Sequence, residues 1–451
     1  MPDDQTAAPL RRLDLRESAA HGSDLRELMP RLGEDLPDVR GAVEAVIADV
    51  RSRGHLALAE LADKFDGGAP PHVLVPAADR EAALAGLDPR VRAALEESIS
   101  RAREFAAAMT PGEASVEYPG GARVTARYTP VDRVGVYVPG GLAVYPSSVI
   151  MNVVPAQAAG VGSIALATPP QAEFGGLPHP TILAAAELLG VTEVLAVGGA
   201  QAVAALAYGV SAHEGQAAIA PVDVITGPGN VFVATAKGLV RGVVGIDAEA
   251  GPTEIAIVAD ETADARFVAA DLVSQAEHDP RAGSVLITDS LALADDVEAA
   301  LARAVEQTRH RARVGEALAG PQSGIILVRD VDHALEVADA YAAEHLEIHT
   351  RDAAAVAARV RHAGAVFVGP FSPVSLGDYA AGSNHVLPTS GTARRASGLN
   401  VLSFMKLVQV IEYPEAGLAA VAPHIRALAD AEDLPAHGDA VDIRFRDEDA
   451  R

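Results

Sequence analysis

Three features of the chain predict an α/β fold with two doubly wound parallel sheets. Short runs such as SIALAT, VLAVGG, VDVITGPG, EIAIVAD, SVLITD, GIILVRD and AVFVG are apolar almost throughout, as strands covered on both faces are. The segments between them, such as ARFVAADLVSQAEH and DAAAVAARVRHAG, have a helical period, which gives a βαβ rhythm. The 451 residues are enough for two or three domains at about 100–200 residues each.

Taken in order, the first dozen residues predict a loose or disordered arm. Helical periodicity begins around Leu25. It is clear in DVRGAVEAVIADVRSRG, where Val39, Val43, Val46 and Val50 share one face and Gly54 ends the helix. Further helix follows through EAALAGL and RVRAALEESISRAREFAAAM, stopped by Pro111. From Glu117 the period changes, and ARVTARYTPVDRVGVYVPGG alternates like strands before a Pro-Gly-Gly turn. The stretch from Val134 to Gln171 is poor in charge. Pro139, Gly140, Gly141, Pro146, Pro155, Pro169 and Pro170 would break a spanning helix there, so it reads as buried core and active-site loop. From about Gly398 the pattern is mixed and ends in a charged tail.

A net charge of -25 argues against a nucleic-acid partner, since phosphates would be repelled and no basic stripe reverses the field. The N-terminus has no apolar h-region, which predicts a cytoplasmic protein without a signal peptide or membrane partner. Cysteine is absent. That excludes disulfides, thiolate zinc sites, iron–sulfur clusters and thiol nucleophiles. Any aldehyde oxidation here must therefore avoid a thiohemiacetal, and the hydrate is the simplest other adduct.

Four segments carry candidate chemistry. In DLVSQAEHDP, Gln275 and His278 lie three apart at a helix end and share a face. His is the commonest zinc ligand and Gln a rare one, so alone the pair is more often a surface or capping feature. VSLGDYAAGSNHVLPT is loop-like and presents Asp378 and His385, which suit a metal or a polar substrate. YAAEHLEIHT sets Glu344 beside His345 at a helix-to-strand junction, a pairing suited to general acid–base work. His345 and His349 lack the intervening Glu of a zinc helix, and His349, at a strand position, reads as structural. AEDLPAHGDAV carries Glu432 and His437 and by itself reads as a solvated acidic turn.

The glycine-rich turns are less specific. VDVITGPGN follows a predicted strand and precedes a helix, so its backbone N–H groups suit an anionic ligand. No G-x-G-x-x-G fingerprint or P-loop is present. GVGSIA leads into a strand, and SFMK lacks the companion triplets of an S-x-x-K enzyme. Without a family context, these residues describe a cysteine-free α/β enzyme of open substrate.

The blocks GVYVPGG, YPSSVIMNVVPAQAAG, AVGGAQAVAALAYG, DVITGPGNVFVATAK, GIDAEAGPTE, SQAEHD, AEHLE and GDYAAGSNHVLPTSGTAR, in this order, closely resemble the histidinol dehydrogenase family. The resemblance implies two incomplete Rossmann-like domains with smaller terminal segments in an intertwined homodimer. It implies four divisions: 1–30 as an N-terminal arm or helix; 31–135 with 255–395 as a discontinuous first α/β domain carrying most zinc and catalytic residues; 136–254 as a second, dinucleotide-side domain; and 396–451 as a C-terminal segment contributing to the partner's site. It further implies one zinc ion per subunit held by Gln275, His278, Asp378 and His437, the last from the partner chain.

By the same resemblance, His345 is the general base and Glu344 activates water. Thr253, where the family usually has Ser, contacts substrate together with Gln275, His278, His345, Asp378, His385, Glu432 and His437. Tyr137, Gln201 and Asn230 touch NAD. The implied reaction is the NAD-dependent oxidation of L-histidinol through L-histidinal to L-histidine. The alternatives are a related zinc alcohol dehydrogenase acting on another small diol, and a non-catalytic zinc-binding protein. His345 is expected to titrate near its reference value of roughly 6.5.

Overall fold

A computed structural model describes residues 10–32, 39–140, 144–248 and 251–446. Two parallel sheets form its frame. The five-stranded sheet runs in the order Glu193–Ala196, Ser163–Thr168, Arg133–Tyr137, Val224–Thr226, Gly245–Ile246. The six-stranded sheet runs Arg12–Asp14, Gly324–Leu327, Gly283–Thr288, Glu254–Ala259, His345–His349, Ala365–Val368. In each, the chain winds from a central strand to one edge and then returns to build the other side. The reversal falls between Arg133–Tyr137 and Val224–Thr226 in one sheet, and between Glu254–Ala259 and His345–His349 in the other. In open α/β sheets, ligand crevices open at such reversals outside the carboxyl ends of the strands, a rule that here fits the five-stranded sheet.

Apolar cores cover both faces of each sheet. On the six-stranded sheet, Ile255, Ile257 and Leu286 pack under helix Ala265–Ala276, and Leu346, Ile348 and Val285 pack on the opposite side under helix Val331–Tyr341. This is the period-two alternation of a strand, with each face claimed by a different helix layer. The predicted strands and the helices Arg40–Arg53, Ala77–Ala85 and Pro89–Met109 form where their periodicity places them. Gly54 ends the first helix with φ +54, a conformation L side chains rarely adopt.

Packing corrects the expected division of the chain. Val43, Ile47, Val50, Leu95 and Ile99 belong to the cores of the five-stranded sheet, so residues 39–109 go with 133–246 and not with 255–395. Arg12–Asp14, inside the expected loose arm, is the edge strand beside Gly324–Leu327. Residues 1–9 of that arm and the tail 447–451 lie outside the described residues, as do 141–143 of the loop after the Pro-Gly turn. The C-terminal segment begins by pairing Met405–Glu412 antiparallel with Ala122–Pro130, which also pairs Ala114–Tyr118. Helices Glu415–Ala431 and Pro435–Asp442 follow. DAAAVAARVRHAG yields only the short helix Ala353–Ala357. No helix among the described residues is long and apolar enough to cross a membrane.

Candidate active site

The candidate chemistry gathers at the amino edge of the six-stranded sheet, at its reversal point. Helix Val331–Tyr341 ends at Ala342, which takes a left-handed conformation with φ 51 and turns the chain back into strand His345–His349. Glu344 sits in that turn beside the first residues of Glu254–Ala259. Its Oε2 accepts a hydrogen bond from Thr253 Oγ1 at 2.5 Å and from the Glu254 N–H at 3.0 Å. Thr253 Oγ1 accepts in turn from Gln275 Nε2 at 2.7 Å. Gln275 lies in the last turn of helix Ala265–Ala276, and His278 follows just beyond it. One hydroxyl thus fixes both the acid and the amide, and a substrate contact by Thr253 has only its second lone pair left.

Burial pushes the Glu344 carboxyl up to about 8, against the lowering effect of its two donors. It therefore changes charge close to neutral pH, where a general acid–base group works best. Burial also pushes the His345 imidazole below its ordinary value, with Asp378 opposing the shift. This corrects the expectation of an ordinary histidine. His345 Nδ1 lies 3.2 Å from the Glu254 carbonyl oxygen, which can only accept, so Nδ1 carries the hydrogen. Nε2 is then the basic nitrogen. At 3.6 Å, Glu344 Oε2 is too far from His345 Nδ1 for a hydrogen bond.

Asp378 lies on helix Val374–Tyr379, with its carboxylate 3.9 Å from His278 Nε2 and 3.7 Å from His385 Nδ1. His385 Nδ1 also lies 3.1 Å from the Asp378 carbonyl, and its Nε2 lies 3.4 Å from Ser148 Oγ. Burial lowers the pKa of both His278 and His385, which favours the neutral, lone-pair-bearing rings that bind metals. Gln275 Oε1 is fully buried and has no hydrogen-bond partner. Buried carbonyls of this kind are normally satisfied. An orphan oxygen on the same helix end as His278, with Asp378 facing that histidine, is a donor set of mixed N and O type that fits zinc.

The fourth expected ligand is elsewhere. Glu432 caps helix Glu415–Ala431 and His437 lies in helix Pro435–Asp442, both exposed. Among the described residues no hydrogen bond or ion pair joins either to Gln275, His278, Asp378 or His385.

The expected dinucleotide residues gather at the carboxyl edge of the five-stranded sheet. Tyr137 ends one of its strands, and Gln201 and Asn230 follow two others. The Tyr137 hydroxyl, pushed up to about 12 by burial, accepts from the Gly199 N–H at 3.1 Å and so braces that turn from beneath. Gln201 Nε2 points at Asp66, 3.5 Å away, whose carboxyl burial raises to about 6. Asn230 Oδ1 caps helix Val231–Val240 by accepting from Phe232 and Val233, leaving its amide nitrogen as the exposed donor. Gly227 has φ +118, and a Cβ there would lie 1.9 Å from the Tyr137 carbonyl oxygen, so no other residue fits.

Sequence reasoning missed several residues of this site. Ser148 lies inside a recognised block, but nothing local shows that it faces His385 across 237 positions. Arg31 and Glu254 form an ion pair of 3.1 Å behind Glu344, and Arg31 stands over the Tyr341 ring. No pattern in the chain announces that pairing.

The histidinol dehydrogenase family model matches residues 29–445. A histidinol dehydrogenase of Nocardia farcinica is 62% identical over 97% of this chain and 98% of its own. One of Thermobifida fusca is 60% identical over 96% and 97%. The crystal structure of histidinol dehydrogenase from Elizabethkingia anophelis superposes with a TM-score of 0.90 at 32% identity, covering 97% of this chain and 98% of that one. With the match spanning both sheets and every segment of the site, the chain belongs to the histidinol dehydrogenase family of oxidoreductases.

Proposed function

We propose that the chain oxidises L-histidinol through L-histidinal to L-histidine with NAD, in the cytoplasm, as a zinc-dependent homodimer whose sites are shared between subunits. The observation that carries this reading is the hydrogen-bonded series Gln275–Thr253–Glu344, which ends at the unpartnered Gln275 Oε1 and stands beside His345. It joins a metal-type donor set to an acid–base pair at one sheet edge. Neither another small diol as substrate nor a non-catalytic zinc role has an observation in its favour.

Gln275, His278 and Asp378, with His437 of the partner subunit, would hold the zinc. When bound, zinc would supply a fixed positive charge that orients the substrate, and NAD would supply the hydride acceptor for each oxidation. His345 accepts the alcohol proton at Nε2 while Nδ1 stays on the Glu254 carbonyl. Without a cysteine, the aldehyde is carried forward as its hydrate. Glu344 removes a proton from the water that adds to the aldehyde carbon while His345 returns the proton it holds to the aldehyde oxygen; neutral again, His345 takes the hydrate's hydroxyl proton in the second oxidation. His385, and Glu432 of the partner subunit, contact substrate. Tyr137, Gln201 and Asn230 serve the dinucleotide side, the first by bracing the turn that carries Gly199.

Purified protein should form NADH from L-histidinol. Exhaustive chelation should abolish this, and added zinc should restore it. Full activity in metal-free protein would remove zinc from the reading.

Sharing of sites has its own test. His278→Ala and His437→Ala homodimers should each be inactive. In a mixed dimer, the His437→Ala chain retains Gln275, His278 and Asp378 and borrows an intact His437 from its partner. One complete site is rebuilt, so subunit exchange should restore up to about half the unaltered activity per mixed dimer. If mass spectrometry confirms exchange and activity stays at the parental level, His437 acts within its own chain.

A further inference from the structure

Strand His345–His349 carries a second polar group that the reaction does not use. His345, Glu347 and His349 alternate onto the face covered by helix Ala265–Ala276, while Leu346 and Ile348 enter the opposite core. On that helix Asp271 lies one turn before Gln275, on the same side. Asp271, Glu347 and His349 each offer a ligand atom, and these atoms lie within 4.8 Å of one another.

Glu347 is fully buried and His349 is 4% exposed. Glu347 Oε1 accepts from the Val374 N–H at 2.9 Å, but Oε2 has no hydrogen-bond partner. Both ring nitrogens of His349 are also unpartnered. His349 Nε2 and Glu347 Oε2 are 3.3 Å apart, yet they are not aligned as donor and acceptor. Two unpartnered atoms so placed match ligands of one ion: at a metal–ligand distance of about 2.1 Å, tetrahedral ligands stand about 3.4 Å apart. Asp271 is only half-buried and gives the group a route to solvent.

We propose that Asp271, Glu347 and His349 form a second divalent-cation site, for zinc or manganese, distinct from the Gln275, His278, Asp378 and His437 set. Two carboxylates and an imidazole make a mixed O and N donor set suited to these ions. A cation there would tie helix Ala265–Ala276 to strand His345–His349 and so hold Gln275 and His345 in register. It would satisfy Glu347 Oε2 and one His349 ring nitrogen, and its charge would offset the repulsion between the half-buried Asp271 carboxylate and the buried Glu347 carboxylate.

The test separates this site from the catalytic one. The Gln275→Ala/His278→Ala chain should be stripped with chelator, reloaded with zinc or manganese, desalted, and its metal counted by mass spectrometry. It should keep close to one ion per chain. Adding Glu347→Gln should weaken that binding by at least ~10-fold, the scale of losing a metal-site partner. An absence of retained metal, or retention unchanged by Glu347→Gln, overturns the proposal. Should the combined variant not fold, a crystal of the unaltered protein soaked in manganese reads the site directly. An anomalous peak between Glu347 and His349 supports the proposal, and a crystal with no peak there, the two carboxyls sharing a proton instead, overturns it.

Discussion

His345→Asn should lower the rate of both oxidations by about 10²–10⁴-fold, the usual contribution of a positioned proton acceptor. The asparagine amide can still donate to the Glu254 carbonyl, which His345 Nδ1 reaches at 3.2 Å, so the strand end should keep its anchor. It has no basic nitrogen to replace Nε2. Because burial lowers the His345 pKa, the ring is already neutral at neutral pH and ready to accept. The active fraction is therefore lost only as pH falls through that lowered value. Single-turnover measurements started separately from L-histidinol and from L-histidinal should show comparable losses, with zinc content unchanged. A variant that purifies without metal would make His345 a ligand and the proposed ligand set wrong.

Glu344→Gln should divide the two steps. Oxidation of supplied L-histidinal should fall by about 10²–10⁴-fold. The first hydride transfer should change little, since it needs no water. The glutamine carbonyl can keep the hydrogen bonds that Glu344 Oε2 accepts from Thr253 and Glu254, so geometry is largely preserved. What disappears is the group that ionises. With the carboxyl raised to about 8, its base form grows as pH rises through that value. L-histidinal oxidation by the unaltered chain should therefore climb with pH up to about 8 and then level off, whereas the variant should lack this rise. Equal loss in both steps would take Glu344 out of the water-activating role.

The expected site residues and the chemistry they suit were legible in the chain, but the contacts that bring them together were not. Glu344 and His345 stand out as an adjacent acid and imidazole at a helix-to-strand junction, and the structure puts them there. Gln275 reads locally as a capping residue and by the family resemblance as a zinc ligand, and its buried Oε1 has no hydrogen-bond partner. His349 read as structural for lack of a zinc-helix motif. Strand geometry instead brings it to Glu347, a pairing that helical spacing does not consider.

By itself the sequence determined the elements and the family. Apolar runs buried on two faces leave little choice but parallel strands, and a helical stripe declares its own period, because both signals are carried by residues near one another in the chain. The absence of cysteine likewise settled that no thiol takes part. Only the tertiary structure decided which sheet the helices of residues 39–109 cover, and that three residues at Arg12–Asp14 complete a sheet edge. Only it decided that the expected catalytic residues gather at the amino edge of one sheet while the expected dinucleotide residues gather at the carboxyl edge of the other. These outcomes depend on contacts between distant positions, as with Thr253 and Glu344, 91 residues apart. No local pattern records such a contact, since an amphipathic helix fits either sheet and a short polar strand becomes one only when its neighbour supplies the hydrogen bonds.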